Sequence, residues 1–445
     1  MSNRHGGQVT RRQILRTGLS TSLAMGVMGC LSQRNDQPSA ASRPPNFIII
    51  FCDDLGYGDL SCYGHDKIST PNLNRMADEG LKFTNFYSCA ALCTPSRVGL
   101  MTGRYQIRSG LTRVLFPNDT VGFPDSEISL AQALKARGYR TAIVGKWHLG
   151  HLPPFLPTRH GFDSYYGIPY SNDMKPTPLM RNEQVIEEPA VQTTLTTRYT
   201  DQAVRFIKES KGQPFFLYLA HNMPHVPLAV STKFKGKSAA GFYGDVIEEI
   251  DWSVGQVLAA IKKHGLDENT IVLFTSDNGP WLTQGKNGGS AGNLRNGKGT
   301  VFEGGVREPC IVRWPGKVAP GRVEDRPAIT LDLWPTFVNL AGGTVPKDRI
   351  MDGKDITPVL LATGKRADEE FFFYLDKQLR AHRSGPWKLV LPPQATKPAT
   401  QPAKVQPILL FNLDQDPYEK TNVADSHPDI VTRLQAQIAA FQKTV

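Results

Sequence analysis

Asn46-Phe47-Ile48-Ile49-Ile50-Phe51-Cys52-Asp53-Asp54 is the stretch that decides the fold class. Phe47 to Cys52 is apolar without a break, and two carboxylates follow at once. A half-exposed strand alternates apolar and polar residues. An unbroken run suits a strand covered on both faces, as in a parallel sheet under helices. Three other segments repeat the plan. Thr141-Ala142-Ile143-Val144 runs into Gly145-Lys146-Trp147-His148. Phe215-Phe216-Leu217-Tyr218-Leu219-Ala220 runs into His221 and then His225, and Ile271-Val272-Leu273-Phe274 runs toward Asp277-Asn278.

Helical segments lie between these runs. One starts at Thr70-Pro71, a cap followed by an N1 proline, and stops at Gly80. Others are predicted from Ser129 to Gly138, from Tyr199 to Ser210, and from Tyr243 to Gly265, the last with Val246, Ile250, Val254, Val257, Leu258 and Ile261 at helical spacing. Alternating strands and helices predict an α/β fold: a large, mainly parallel sheet with helices on both faces. Ligands of such sheets gather at the carboxyl ends of the strands, where the polar clusters fall. After about residue 345 the pattern changes to short strands at Phe371–Tyr374, Trp387–Val390 and Ile408–Phe411, a turn at Asp414-Gln415-Asp416-Pro417, and a terminal helix from Asp429 to Lys443. This predicts a smaller antiparallel sheet with a helix. The segment from Pro392 to Pro407 reads as a mobile loop. No internal repeat is present.

The chain's start reads as an address. Thr10-Arg11-Arg12-Gln13-Ile14-Leu15-Arg16 is basic, and a weakly apolar stretch from Thr17 to Gly29 follows, the order of an export signal of the twin-arginine kind. Val27-Met28-Gly29-Cys30 resembles the lipobox of bacterial lipoproteins, so Cys30 is expected to carry a lipid, with ordinary cleavage near Gly29 the alternative. The expected organisation is a signal at 1–29, a linker at 30–43, a catalytic domain at 44–345 and a C-terminal subdomain at 346–445. The expected location is the bacterial periplasm or cell envelope, with the membrane touched only through the lipid. The formal charge of +10 falls to +6 once the four arginines of residues 1–29 are set aside. No block of like charges suggests a nucleic-acid partner. No apolar run approaches the roughly 20 residues that span a bilayer.

Two constellations carry chemistry. Asp53-Asp54 and Asp277-Asn278 would end two strands on one edge of the sheet. Grouped acids repel and need a cation or a shared proton. Oxygen ligands without a cysteine or histidine pair suit a hard ion, calcium or magnesium, although such acids also cap helices or bind water. The second is Cys93-Thr94-Pro95-Ser96-Arg97, followed by Thr102-Gly103-Arg104. Beside an arginine, Cys93 could be a thiolate nucleophile; a buried structural thiol is the commoner fate. Setting Cys30 aside leaves Cys52, Cys62, Cys89, Cys93 and Cys310, an odd number with no zinc-site spacing.

The Cys93 segment resembles the sulfatase signature, Cys-x-Pro-x-Arg followed by x4-Thr-Gly-Arg. Four further blocks are similar to that family in the same order: Pro45 to Gly64, Gly145 to Gly150, Phe274 to Gly279, and Gly297 to Thr300 with Glu303 to Pro309. The resemblance implies an alkaline-phosphatase-like fold and a sulfuric ester hydrolase. It implies that Cys93 is oxidised to formylglycine by a generating enzyme, hydrates to a gem-diol and attacks sulfur. It also implies that Asp53, Asp54, Cys93, Asp277 and Asn278 hold Ca²⁺, with Mg²⁺ the second choice. Arg97 and Lys146 anchor the gem-diol in this reading, and His148 takes its second proton. His225, Lys298 and Lys146 hold sulfate, and Ser171 adds a hydrogen bond. Sulfated sugars or glycolipids are the implied substrates. The competing expectations are a phosphoester or phosphonate monoester hydrolase on the same scaffold, and a non-catalytic surface lipoprotein. Residues 173–197 and 280–295 fit no block; Gly288-Gly289-Ser290-Ala291-Gly292 is expected to be a mobile loop near the pocket.

Overall fold

A computed structural model describes residues 43–394 and 406–445. The export signal, Cys30 and most of the loop expected at 392–407 lie outside the described residues. In chain order the strands are β1 (Asn46–Asp53), β2 (Leu81–Tyr87), β3 (Arg140–Gly145), β4 (Ser164–Gly167), β5 (Leu179–Arg181), β6 (Gln184–Glu187), β7 (Phe215–Pro224), β8 (Thr270–Ser276), β9 (Arg307–Arg313), β10 (Arg322–Glu324), β11 (Ala328–Ile329), β12 (Glu370–Leu375), β13 (Gln378–Ser384), β14 (Trp387–Val390) and β15 (Leu409–Asn412). The first eleven form one sheet in the order β10-β2-β9-β8-β1-β7-β3-β4-β5-β6, with β11 beside β2. Its centre, β8-β1-β7-β3-β4, is parallel, and antiparallel strands extend it on both sides.

All eight residues of β1 are buried, and their side chains divide between two cores. Phe47, Ile49 and Phe51 pack in one, with Val98 and Met101 of the helix Cys93–Thr102. Ile48, Ile50 and Cys52 pack in the other, with Leu73 and with Val246, Ile250 and Val254 of the helix Gly241–Lys263. This is the covering on both faces that the unbroken run predicts. The register levels the strand ends: Phe51 pairs with Ala220 and Thr275, and Gly145 pairs with Ala220. The residues that follow, Asp53-Asp54, Lys146 and Asp277-Asn278, therefore emerge at one edge.

The small sheet is antiparallel, β12-β13-β14-β15, and the helix Pro428–Gln442 packs on it through Leu434 and Ile438. Lys388 joins it to the large sheet. Its ammonium donates to Glu303 at 2.8 Å and pairs with Glu419 at 3.0 Å, all three buried.

Several local expectations shift. Thr70 caps nothing with its side chain, because its hydroxyl is engaged with Ser61 and Asn74. The helix expected from Tyr199 begins at Leu195. The stretch 288–292 is held in place: Gly58 N–H donates to the Ser290 carbonyl at 2.8 Å, and Ser290 N–H donates to Asp59 at 2.8 Å. A Cβ on Gly58 would lie 2.4 Å from the Gly292 nitrogen, so glycine is needed there for close packing.

Candidate active site

Residues singled out in seven separate stretches of sequence, at 53–54, 93–97, 146–148, 171, 225, 277–278 and 298, meet at this edge. Cys93 is the first residue of the helix Cys93–Thr102 and is 2% exposed. Its sulfur lies within 4.8 Å of ligand oxygens of Asp53 and Asp277 in one group, and of Asp54 and the His225 ring in another. Arg97, one turn on, is fully buried. Its Nε and Nη2 donate to Asp277 Oδ2 at 3.1 and 2.8 Å, and Nη2 lies 3.5 Å from Asp53 Oδ1. Lys146 follows β3 and donates to Asp53 at 2.5 Å and to Ser171 at 3.2 Å. Lys298 donates to Asp54 at 2.8 Å. His225 Nε2 lies 3.6 Å from the same Asp54 oxygen and 3.5 Å from Ser171 Oγ. Ser171 thus bridges Lys146 and His225. Asp54 and His148 both adopt left-handed backbone, φ 64° and 58°, a costly conformation for such residues that concentrates at functional sites.

Charge in the cluster balances: Asp53, Asp54 and Asp277 face Arg97, Lys146 and Lys298. Burial raises the Asp53 carboxyl, but Lys146, His225, Arg97 and Lys298 together hold it well below the usual range. Burial and the neighbouring Asp53 push Asp277 up. The Cys93 thiol is the decisive case. A helix N-terminus and nearby lysines favour a thiolate, yet burial, helped by Asp53 and Asp277, pushes it up to about 12. Burial thus opposes the thiolate that the helix start and the lysines would favour. Burial and Lys146 push His148 well below its ordinary value, so its ring is neutral.

The residues fit a hard cation. Asp53 Oδ1 and Asn278 Oδ1 are buried acceptors with no hydrogen-bond partner. The Asn278 amide cannot be turned the other way to relieve this, because its Nδ2 donates to Asp54 at 2.8 Å and to the Gly279 carbonyl at 2.9 Å. A buried acceptor without a donor costs about 1–3 kcal/mol; a cation held by Asp53, Asp54, Asp277 and Asn278 would remove that cost with oxygen ligands.

Trp281 escaped the sequence reading. Its ring centroid lies 4.3 Å from Lys298 Nζ and 5.3 Å from the His225 ring, so it walls the two groups on one side. Its position just after Asp277-Asn278-Gly279-Pro280 was the only signal. A cavity of about 580 Å³ is lined by Asn172, which follows Ser171 in the chain, and by Lys175, Pro176, Glu188, Pro189 and Pro227 among others; much of its wall comes from residues 173–192. His160, His221 and His151 lie outside this cluster of contacts. His160 bonds the Pro154 carbonyl, and His221, lowered to about 4 by burial, faces Ser253. His151 packs edge-on against Tyr170. All five described cysteines are free thiols.

A sulfatase family model matches residues 45–343, and a model described as N-sulphoglucosamine sulphohydrolase, C-terminal, matches residues 296–444. Arylsulfatase A of Bos taurus is 42% identical, covering 88% of this chain and 85% of its own. N-acetylgalactosamine-6-sulfatase of Mus musculus is 37% identical, covering 95% and 90%. A solved structure from work on glycosaminoglycan metabolism by Bacteroides thetaiotaomicron superposes with a TM-score of 0.82 at 31% identity, covering 90% of this chain and all of that one. The chain belongs to the sulfatase family. Its activity is accordingly that of a sulfuric ester hydrolase, on the alkaline-phosphatase-like scaffold that the resemblance implied.

Proposed function

We propose that this sulfatase cleaves sulfate esters of sugars or glycolipids with formylglycine at position 93 and a bound Ca²⁺. The observation that carries the reading is the placement of buried Cys93 at a helix start, within ligand distance of Asp53, Asp54 and Asp277 and in a cluster that holds the unsatisfied Asn278 amide oxygen. A thiol in that setting is a poor nucleophile and a poor base, whereas a hydrated aldehyde offers hydroxyl oxygens to sulfur and to a hard cation. Asp53, Asp54, Asp277 and Asn278 would hold the cation, which when bound polarises a sulfate oxygen.

The chain's own groups do the rest. Carboxylates engaged by a divalent ion leave Lys146 and Lys298 as surplus positive charge, matching the dianion released as product. Lys146, Lys298, His225 and Ser171 hold the sulfate oxygens, and His225 or Lys298 protonates the leaving oxygen. Arg97 keeps Asp53 and Asp277 in place from below. The neutral His148 ring accepts a proton from the nucleophile's second hydroxyl. The cavity lined by Asn172 and residues 173–192 receives the leaving group. Sulfated sugars are favoured by the relatives' names, one an N-acetylgalactosamine-6-sulfatase. Signal removal at residues 1–29, twin-arginine export, a lipid at Cys30, oxidation of Cys93 by a generating enzyme before export, and the boundary near residue 345 are further parts of this proposal and rest on sequence.

Calcium titration by calorimetry tests the metal assignment. The wild-type protein binds one Ca²⁺ and the variant carrying Asp53→Ala with Asp277→Ala binds none; binding that survives in the variant rejects the assignment.

A further inference from the structure

Thr94 lies between Cys93 and Pro95 and is wholly buried. Its hydroxyl closes a ring of three hydrogen bonds. Thr94 Oγ1 donates to the His148 carbonyl at 2.9 Å and accepts from the Leu115 N–H at 3.2 Å. The Leu115 carbonyl in turn receives the His148 ring at Nε2, 2.9 Å away. A hydroxyl has one proton to give, and here it is committed to His148. A carbonyl can only accept, so the contact with Leu115 assigns the ring proton to Nε2. The other ring nitrogen, Nδ1, then carries a lone pair, and it is buried with no partner. The His148 backbone needs such support, since its φ of 58° is left-handed. Thr94 is covalently next to Cys93, so one hydroxyl couples the place of the nucleophile to the place and tautomer of the base.

We propose that Thr94 is a positioning residue, which through the Leu115 carbonyl locks His148 in the Nε2–H tautomer with Nδ1 free to accept a proton. The inference rests on the reading of His148 as the base. It assigns a purpose to the second position of the Cys93 signature and to the loop carrying Leu115.

The test uses Thr94→Val, which keeps shape and loses the hydroxyl, and Thr94→Ser, which keeps the hydroxyl, each in wild-type and His148→Ala backgrounds. Turnover of an aryl sulfate is normalised to aldehyde content at position 93, measured by mass spectrometry. Thr94→Val should lower kcat by roughly ten- to a hundredfold with KM little changed, as expected of a misplaced base. Thr94→Ser should restore most of it. In the His148→Ala background Thr94→Val should add almost nothing. Histidine ¹⁵N spectra, which need no aldehyde, should show a single Nε2–H tautomer for His148 in the wild type and a mixture in Thr94→Val. Thr94→Ala replaces Thr94→Val in these spectra if the latter does not fold. Wild-type kcat in Thr94→Val, an equal loss with and without His148, or an unchanged tautomer overturns the proposal. Full kcat in His148→Ala alone would instead reject His148 as the base, while the spectra still decide whether Thr94 sets its tautomer.

Discussion

At Cys93, burial competes with helix dipole and lysines, and burial wins. The same competition acts on Asp59, a buried carboxyl with no cationic partner among the described residues. It accepts from Gly56 N–H at 2.7 Å, Ser290 N–H at 2.8 Å and Tyr243 OH at 2.6 Å, yet burial raises it from 3.8 to about 7. A folded-state value above the unfolded one means that the folded protein holds the proton more tightly. The stabilisation is complete below the unfolded value and is lost as pH rises toward 7. The shift of about three units corresponds to roughly 4 kcal/mol. Urea unfolding at pH 4.5 and 7 should therefore show Asp59→Asn losing less stability across that interval than the wild type; parallel losses would contradict it. The same residue scale shows what the sequence could disclose. The acid pairs were readable as chemistry-bearing types at strand ends, and Cys93 through the signature it heads. Trp281, Thr94 and Leu115 were not, since a ring contact and a backbone carbonyl have no signature in residue type or spacing.

At the scale of elements, strands buried on both faces were legible because their runs have no polar interruption. The strands that escaped are those whose surroundings are mixed. β13, Gln-Leu-Arg-Ala-His-Arg-Ser, carries two arginines and a histidine, and it buries His382 and Arg383 because His382 meets the Phe371 carbonyl of β12 while Arg383 donates to the Tyr87 hydroxyl of β2 in the large sheet. β6 is almost wholly exposed, and β5 has three residues. Helix starts were legible where the cap uses local partners. Ser129 accepts from the Gln132 N–H, and the Gln132 side chain accepts from the Ser129 N–H, a complete capping box. Ser129→Ala should cost about 1 kcal/mol of unfolding free energy, read from the urea midpoint; an unchanged midpoint would show that tertiary packing alone sets this helix's start.

At the scale of the molecule, the catalytic edge and the small sheet share one buried ionic joint. Lys388 serves Glu303 and Glu419, and Glu303 also accepts from Tyr87 at 2.6 Å. Glu303 stands five residues after Lys298, so the joint braces the loop that carries a sulfate-holding cation. Lys388→Met leaves Glu419 without its cation and Glu303 with Arg307 alone, and should destabilise the protein by about 3–5 kcal/mol. Calorimetry should show a much lowered Tm. Little change would mean that the carboxylates take up protons at small cost. No local pattern could announce this joint, because its members are separated by up to 116 positions.

The account's central claim concerns what Cys93 becomes. Mass spectrometry of the peptide spanning Cys93, taken from active protein made in the native host, tests it most directly. Aldehyde at position 93, in proportion to specific activity across preparations, is the predicted result. Full activity in protein whose Cys93 is entirely unmodified thiol would contradict it.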